Sequence, residues 1–482
     1  EIPLRLVGSE MCIRDSLMRS VKIKGSSFLN ILIVISYLSP PFIGAYAWIQ
    51  MLGRQGVITQ FLNDTFGLHY GGVYGFAGIV LVFTLQSFPL VYIYVSGALK
   101  NLDNSLNEAA ESLGCSRMGR IWKIIVPLVM PTLLASSMLV FMRVFADFGT
   151  PMLIGEGYKT LPVLIYNQFM GEVSGDDGFA AAICCIVIGL TIVMFFVQRF
   201  LAGRNTYAMT ALKPMAAESL GGLRNILAHL AVYMVVGLAI LPQFVVVYTS
   251  FLATNGGQVF TGGFALQSYD ATLFAKDNDV IWHTYFLGLC AIAAVLVLGV
   301  LIAYLSVRKR NTLNSILDVI TMFPFIIPGS VLGIAFVFAF NKSPIILTGT
   351  ALIMIISFAV RRMPYTVRSS TAILGNISPS IEEAAISLGA SDMTTFRKIT
   401  VPMMMPGVLS GAIMSWVTII SELSSSIILY TNSTQTLTVS IYTEVIRGNY
   451  GNASAYATIL TVTSILSLLL FYKVTGRRDV SV

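Results

Sequence analysis

Acidic side chains that recur at a fixed interval are the first residues here whose type and spacing could do chemistry. Glu108 opens a Glu-Ala-Ala run, Glu383 opens another 275 residues on, and Asp147 and Glu422 repeat the same interval further along. A carboxylate so placed can anchor a basic or amide group, or face a water-filled route through a membrane. The remaining reactive residues are scattered. Cys12, Cys115, Cys184, Cys185 and Cys290 have neither metal spacing nor the look of a disulfide framework, and His69, His229 and His283 lie on separate segments. Neither a metal site nor a nucleophile-base pair is expected, and no cofactor in this chain. A Gly-x4-Gly-Lys-Ser/Thr phosphate loop is missing too, so any ATP hydrolysis would have to come from a partner.

The elements that must position these acids are membrane helices. Of the 482 residues 56% are apolar and 11% charged, with a mean hydropathy of +0.80, whereas soluble domains carry about 25% charged residues. A bilayer core about 30 Å thick needs roughly 20 apolar residues per helix. Ten such stretches are expected, at 28–51, 73–98, 132–154, 179–202, 226–252, 282–306, 315–341, 344–361, 407–430 and 455–472. They are long and continuously apolar, which excludes the alternating strands of a barrel and gives an all-α membrane fold. The net charge of +7 does not imply nucleic acid, because the cations sort by loop. One set of loops holds Arg19, Lys22 and Lys24, Lys100 to Lys123, Arg199 to Arg224, Arg308 to Arg310, Arg361 to Lys398, and Lys473 to Arg478. The alternate set holds only Arg54, Lys159, Lys276, Lys342 and Arg447. An excess of about four to one places both termini and the 99–131 and 362–406 loops in the cytoplasm.

The chain also repeats itself. SLNEAAESLGCSRMGRIWKIIVPLVMP at 105–131 matches SIEEAAISLGASDMTTFRKITVPMMMP at 380–406, pairing Glu108 with Glu383, Gly114 with Gly389, Pro127 with Pro402 and Pro131 with Pro406. TLPVLIY at 160–166 matches TLTVSIY at 436–442 after a one-residue shift. Six expected spans separate the two long segments, an even number, so both emerge on one side and the halves are parallel rather than inverted. The domains expected are a first half over 28–203 with four spans, a polar linker over 204–222, and a second half over 223–475 with six. Residues 1–16 read as non-native sequence, with the first half lacking its first two spans.

Each repeated segment opens with Ser-x-x-Glu, which predicts a capping box at Ser105 and at Ser380. A short helix then runs to Gly114 or Gly389, where glycine closes it in the left-handed conformation. A basic turn follows, then Val-Pro at the first turn of the next span. The alanine pair lets another surface approach closely, and the glutamate offers an anchor.

The pattern Glu-Ala-Ala, three residues, Gly, nine residues, Ile-x-Leu-Pro resembles the signature of binding-protein-dependent ABC importer permeases, kept twice here with Val126 and Val401 in place of Leu. The resemblance covers nearly the whole chain from about residue 28. It implies the type I permease fold and a coupling role for Glu108, Ala109, Ala110, Gly114, Glu383, Ala384, Ala385 and Gly389. It also implies an ATPase homodimer and an extracytoplasmic substrate-binding protein as partners, and a multi-pass location in a bacterial inner membrane. The chain would then be a transport subunit and not an enzyme. The fusion of two halves, with ADFGTPMLIG at 146–155 and SELSSSIILY at 421–430, is similar to ferric-iron permeases. The same machine serves 2-aminoethylphosphonate, polyamines, thiamine or sulfate in related systems.

Asp147 and Glu422 are candidates for the translocation pathway, against a plain place in the headgroup zone. Arg143, one turn before Asp147, could pair with it, although its counterpart Thr418 carries no charge. Pro40, Pro41 and Gly44, and Pro324, Pro328 and Gly329, predict kinks. A secondary transporter would have repeats too, but it would leave the duplicated cytoplasmic motif without a use. A membrane enzyme would need a convergent cluster of acids, histidines or cysteines, which the sequence does not offer.

Overall fold

The computed structural model describes residues 23–38, 40–67, 71–100, 102–171, 176–204, 222–254, 263–274, 279–309 and 311–475. The stretch 1–16 and residues 205–221 of the expected linker lie outside them. The principal helices are α1 (Ser26–Leu38), α2 (Pro41–Leu52), α3 (Gly75–Lys100), α4 (Asn104–Ser112), α5 (Val126–Ala146), α6 (Leu161–Met170), α7 (Asp177–Arg204) and α8 (Gly222–Ser250). They continue as α9 (Val280–Arg308), α10 (Thr312–Ile320), α11 (Gly329–Phe340), α12 (Ala351–Asn376), α13 (Ser380–Ser387), α14 (Val401–Ile420), α15 (Leu437–Ile446) and α16 (Tyr450–Thr475). A two-residue hairpin, Asn341–Lys342 against Ile345–Ile346, interrupts the otherwise helical fold.

Seven helices among the described residues are long and apolar enough to cross a membrane, and nine if two bent pairs each count as one. The eighth expected span is displaced. It is expected at 344–361, but the hairpin occupies its start and α12 runs on to Asn376, in register with its repeat partner α3. Arg361, Arg362 and Arg368 therefore lie inside one helix, the last two where the cytoplasmic loop 362–406 is expected. The three arginines lower the hydropathy beyond residue 360, so the expected apolar stretch ends at 361. The expected kinks are outright breaks: Thr312–Ile326 meets Gly329–Phe340 at 111°, and Phe28–Tyr37 meets Phe42–Phe66 at 102°. At each break a proline stands just before the new helix with extended ψ, Pro40 at 133° and Pro328 at 141°. The ring fixes φ near its helical value, but the positive ψ carries the chain out of the helix path.

The described chain divides into two compact units. One runs to Thr160 and takes in Gly189–Val245, and the other comprises Leu161–Ile188 and the residues from Val246 on. The units do not follow the order of the sequence, since α6 and the start of α7 belong to the second and most of α8 to the first. In the first unit Ile33, Phe88, Val91, Val95, Val129, Val232 and Val236 form one buried cluster from α1, α3, α5 and α8. Ala45 and Trp48 of α2 meet Ile79, Val82 and Phe83 of α3 in another.

In the second unit Leu287, Ala291 and Val295 of α9 pack on Ile353, Met354, Phe358 and Val367 of α12. Helix α14 approaches α12 through Gly407 and Gly411. A Cβ on Gly411 would sit 2.5 Å from Thr366 Cα, and one on Gly407 would sit 2.7 Å from the Ser369 carbonyl. Ser369 Oγ donates to the Gly407 carbonyl at 2.7 Å. Lipid supplies no hydrophobic drive between helices, so small residues four apart and hydroxyl hydrogen bonds hold this crossing.

Candidate functional site

The two repeated segments fold alike. Helix α4 closes with the Gly114 N–H donating to the Glu111 carbonyl at 2.9 Å and the Cys115 N–H to the Ala110 carbonyl at 3.0 Å. Helix α13 closes with Gly389 to Ile386 at 2.9 Å and Ala390 to Ala385 at 3.1 Å. This paired pattern needs a left-handed residue, and the glycines supply it, with φ of 77° at Gly114 and 90° at Gly389. Ala110 and Ala385 are buried against the turn that follows, while Glu108, Ala109, Glu383 and Ala384 face outward. The expected glutamates and alanines thus occupy identical places in both copies.

The start of each segment differs from expectation. No capping box forms at Ser105 or Ser380, because the capping oxygens lie two residues upstream. Asp103 Oδ1 accepts from the Ser105 N–H at 2.9 Å, and Ser378 Oγ, its counterpart, accepts from the Ser380 N–H at 3.4 Å. Helix α4 begins at Asn104, whose side-chain amide donates to Glu108 Oε1 at 2.8 Å. Serine caps do appear on the second, shorter helix. Ser116 Oγ accepts from the Gly119 N–H at 3.2 Å and Ser391 Oγ from the Thr394 N–H at 3.3 Å.

Between these caps and the span the backbone widens into a π turn, at Ile121–Ile125 and at Phe396–Thr400. The reason lies in the next residues. Pro127 and Pro402 have no N–H to give, and in a regular helix their rings would press on the carbonyls of Lys123 and Lys398, four residues back. The π turn moves those carbonyls away, so Met118–Ala146 and Asp392–Ile420 each continue as one helix. The proline does not start a new span after a corner; the short helix, cap and span form one continuous lever.

Sequence reasoning missed what these turns expose. Leu113 and Leu388, just before the glycines, are 88% and 89% exposed, and Met118 and Met393 beyond them are each 65% exposed. Both pairs stand at the interval of 275 residues, so the repeat itself held the signal. The anchoring differs between copies. Arg120 pairs with Glu111 in the first, whereas in the second Glu382 pairs with Arg308 at 3.0 Å and accepts from Thr400 Oγ1 at 3.0 Å.

Asp147 and Glu422 both sit where a span ends, and both do the same backbone work. Asp147 Oδ1 accepts from the Thr150 N–H at 2.9 Å, and Glu422 Oε1 accepts from the Ser425 N–H at 3.2 Å. Each therefore ties down the backbone turn that leads into the short helix that follows, Gly149–Ile154 or Ser426–Leu429. Glu422 is further buried, 4% exposed, with one carboxylate oxygen on Arg361 and the other on Arg362. Arg143 does not form the ion pair considered with Asp147; its guanidinium lies over the Tyr37 ring at 5.2 Å from the centroid. Among the described residues no group of three His, Cys, Asp or Glu side chains could hold a metal ion. His229 has a structural place, its Nε2 accepting from the Lys24 N–H at 3.2 Å.

Two stretches of the chain, 16–207 and 295–478, match the family of binding-protein-dependent transport system inner membrane components. Each stretch contains one copy of the turn described above. The chain belongs to this family. Members of this family are inner membrane components of transport systems, and seven of this chain's described helices are long and apolar enough to cross a membrane. Over 454 residues it is 31% identical to the ferric transport system permease protein FbpB of Actinobacillus pleuropneumoniae, covering 92% of this chain and 65% of that relative. The chain thus spans about two thirds of that relative's length. Over 453 residues it is 24% identical to an Fe(3+)-transport system permease protein of Haemophilus influenzae, covering 93% and 83%. A molybdenum transport system permease protein of Escherichia coli is 28% identical over 183 residues, 37% of this chain and 78% of its own.

Proposed function

We propose that this chain is the membrane-spanning subunit of an ATP-driven importer that takes up ferric iron delivered by an extracytoplasmic binding protein. A separate ATPase homodimer docks on α4 and α13, both on the cytoplasmic side with the chain termini. The observation that carries this reading is the matched pair of turns, each presenting a nearly fully exposed leucine beside a left-handed glycine, at the corner that leads into a helix continuous with a span. An apolar side chain held so far out in both copies suits a pocket on a partner. Within each turn Glu108 and Glu383 supply the polar anchor, Ala109 and Ala384 the close approach, Ala110 and Ala385 the packing beneath. Gly114 and Gly389 set the angle at which force enters the span. Asp147 and Glu422, each holding the turn into a short helix, fit a structural part better than a place on the translocation route. The names of the relatives support iron as cargo, and the molybdenum relative keeps oxyanions in the test.

The test is uptake of labelled ferric iron by vesicles holding this chain and its ATPase, with and without the iron-loaded binding protein. Uptake that requires the binding protein and ATP is the expected result. Saturable high-affinity uptake without the binding protein would overturn the division of labour. Uptake of molybdate, sulfate, 2-aminoethylphosphonate, a polyamine or thiamine in place of iron would change the cargo and leave the machine intact.

A further inference from the structure

The first unit holds a small cleft whose lining is unusual for a membrane interior. Ser36, Trp48, Gln86, Arg143 and Gln243 line it, with Pro40 and Gly44 at the break between α1 and α2. It lies far from the exposed turn: Arg143 is 23 residues beyond Arg120, about 35 Å of helix rise. Arg143 makes no ion pair among the described residues, and its guanidinium lies over the Tyr37 ring. Trp48 is 4% exposed, and its indole N–H has no hydrogen-bond partner. A buried N–H is normally satisfied, and an arginine inside a membrane normally faces a counter-charge or a water-filled route. Both groups are donors only. Gly44 lets Gln86 come close, since a Cβ there would sit 2.7 Å from Gln86 Nε2.

The second unit shows the same excess by separate means. Arg361 and Arg362 share the single carboxylate of Glu422, which leaves one uncompensated positive charge, and the Nε of each arginine is buried without a partner. Donors and positive charge repel a bare multivalent cation and recognise oxygen anions.

We propose that the Arg143–Trp48 cleft is an oxyanion site on the cargo route, so that what crosses is an oxyanion or a metal accompanied by one, never a naked trivalent cation. The proposal rests on the import reading above and names the chemical class of its cargo.

The probe is radiolabelled inorganic phosphate, bound at equilibrium to the purified full chain in detergent. Saturable binding is expected, weakened at least tenfold by Arg143→Gln, largely kept by Arg143→Lys, and weakened several-fold by Trp48→Phe. The conservative variants decide the matter if Arg143→Gln does not fold. Absence of saturable binding in the unsubstituted chain, or binding unchanged in Arg143→Gln, overturns the proposal. The measurement is then repeated in nanodiscs rich in anionic phospholipid. Persistence of phosphate binding supports the cargo assignment, while its loss there assigns the cleft to lipid headgroups and overturns it. Because the assay contains neither ATPase nor binding protein, a failure leaves the import reading standing, and that reading fails only in the uptake assay.

Discussion

Helices α3 and α12 are the same element twice, yet they carry different charges. At the interval of 275 residues Gln86 and Ser87 of α3 stand where Arg361 and Arg362 stand in α12, and Asp147 stands where Glu422 does. In each half the carboxylate accepts from the backbone N–H three residues on, at the turn into a short helix. Only in the second half do two arginines reach it from α12. In the first half the cation is on α5 instead, as Arg143, against an aromatic ring. The comparison teaches that duplication has kept the work directed at the backbone, where geometry leaves few solutions, and has let the charges move. A backbone N–H needs its acceptor at one position, whereas a buried charge needs compensation from wherever a neighbour can provide it.

The largest effect should come from breaking that difference. Glu422→Ala leaves Arg361 and Arg362 buried without a partner, which costs about 3–5 kcal/mol for a broken buried pair. Asp147→Ala removes one acceptor from a backbone N–H and costs about 1 kcal/mol. Thermal unfolding of the two purified variants measures both. Adding Arg361→Met and Arg362→Met to Glu422→Ala should recover most of the loss, since apolar replacement removes the orphaned charges. Equal losses for the two single variants would show that the arginines do not depend on Glu422.

Much of this fold was legible in the sequence, and the exceptions have physical causes. The repeat, the glycine turns and the membrane helices followed from spacing and hydropathy, because Gly114 and Gly389 have a conformation few residues can share. Helix α12 extends past the expected span because Arg361, Arg362 and Arg368 lower its hydropathy, and only a folded partner, Glu422, makes the burial of the first two tolerable. The capping boxes failed because Asp103 and Ser378 compete for the same helix starts, two residues upstream of where a Ser-x-x-Glu pattern puts them. The π turns were invisible because Val-Pro fits either a new helix or a relaxed old one. Exposure of Leu113 and Leu388 could have been suspected from the repeat, but an apolar residue in a short helix is ordinarily read as core.

Smaller effects come from the turns, where the two halves agree. Leu113→Asp and Leu388→Asp should each weaken ATPase binding by tenfold or more while leaving thermal stability within about 0.5 kcal/mol, as expected for exposed anchor positions. The measurement is ATPase pull-down or calorimetry beside an unfolding curve. Loss of only one of the two docking sites by either variant, with the other retained, would fit two ATPase subunits on one chain. Gly389→Val and Gly114→Val act on the backbone alone, since nothing lies within 4 Å of a Cβ at either glycine. A left-handed β-branched residue costs about 1–2 kcal/mol, so the helix end should reorganise and the leucine be misaimed. ATP hydrolysis by the assembled complex should then continue while transport falls. Full transport by Gly389→Val would remove the coupling role from these glycines.

The smallest expected effect tests whether the halves are equivalent where their geometry is. Ser116 and Ser391 cap the second short helix at 3.2 and 3.3 Å, so each serine-to-alanine change should cost the same, about 1 kcal/mol, or roughly a fivefold change in local opening. Hydrogen exchange at the N–H groups of Gly119 and Thr394 reads that opening directly. Behind the caps the anchors differ: the first copy is tied by Arg120 and Glu111 within itself, the second by Glu382 to Arg308 of α9 and to Thr400. Equal acceleration at the two amides would place the cap's contribution in the turn alone. A clearly smaller acceleration at Thr394 would mean that the long-range tie to α9 holds the second turn after its cap is gone, and the second copy would then be the stiffer of the two levers.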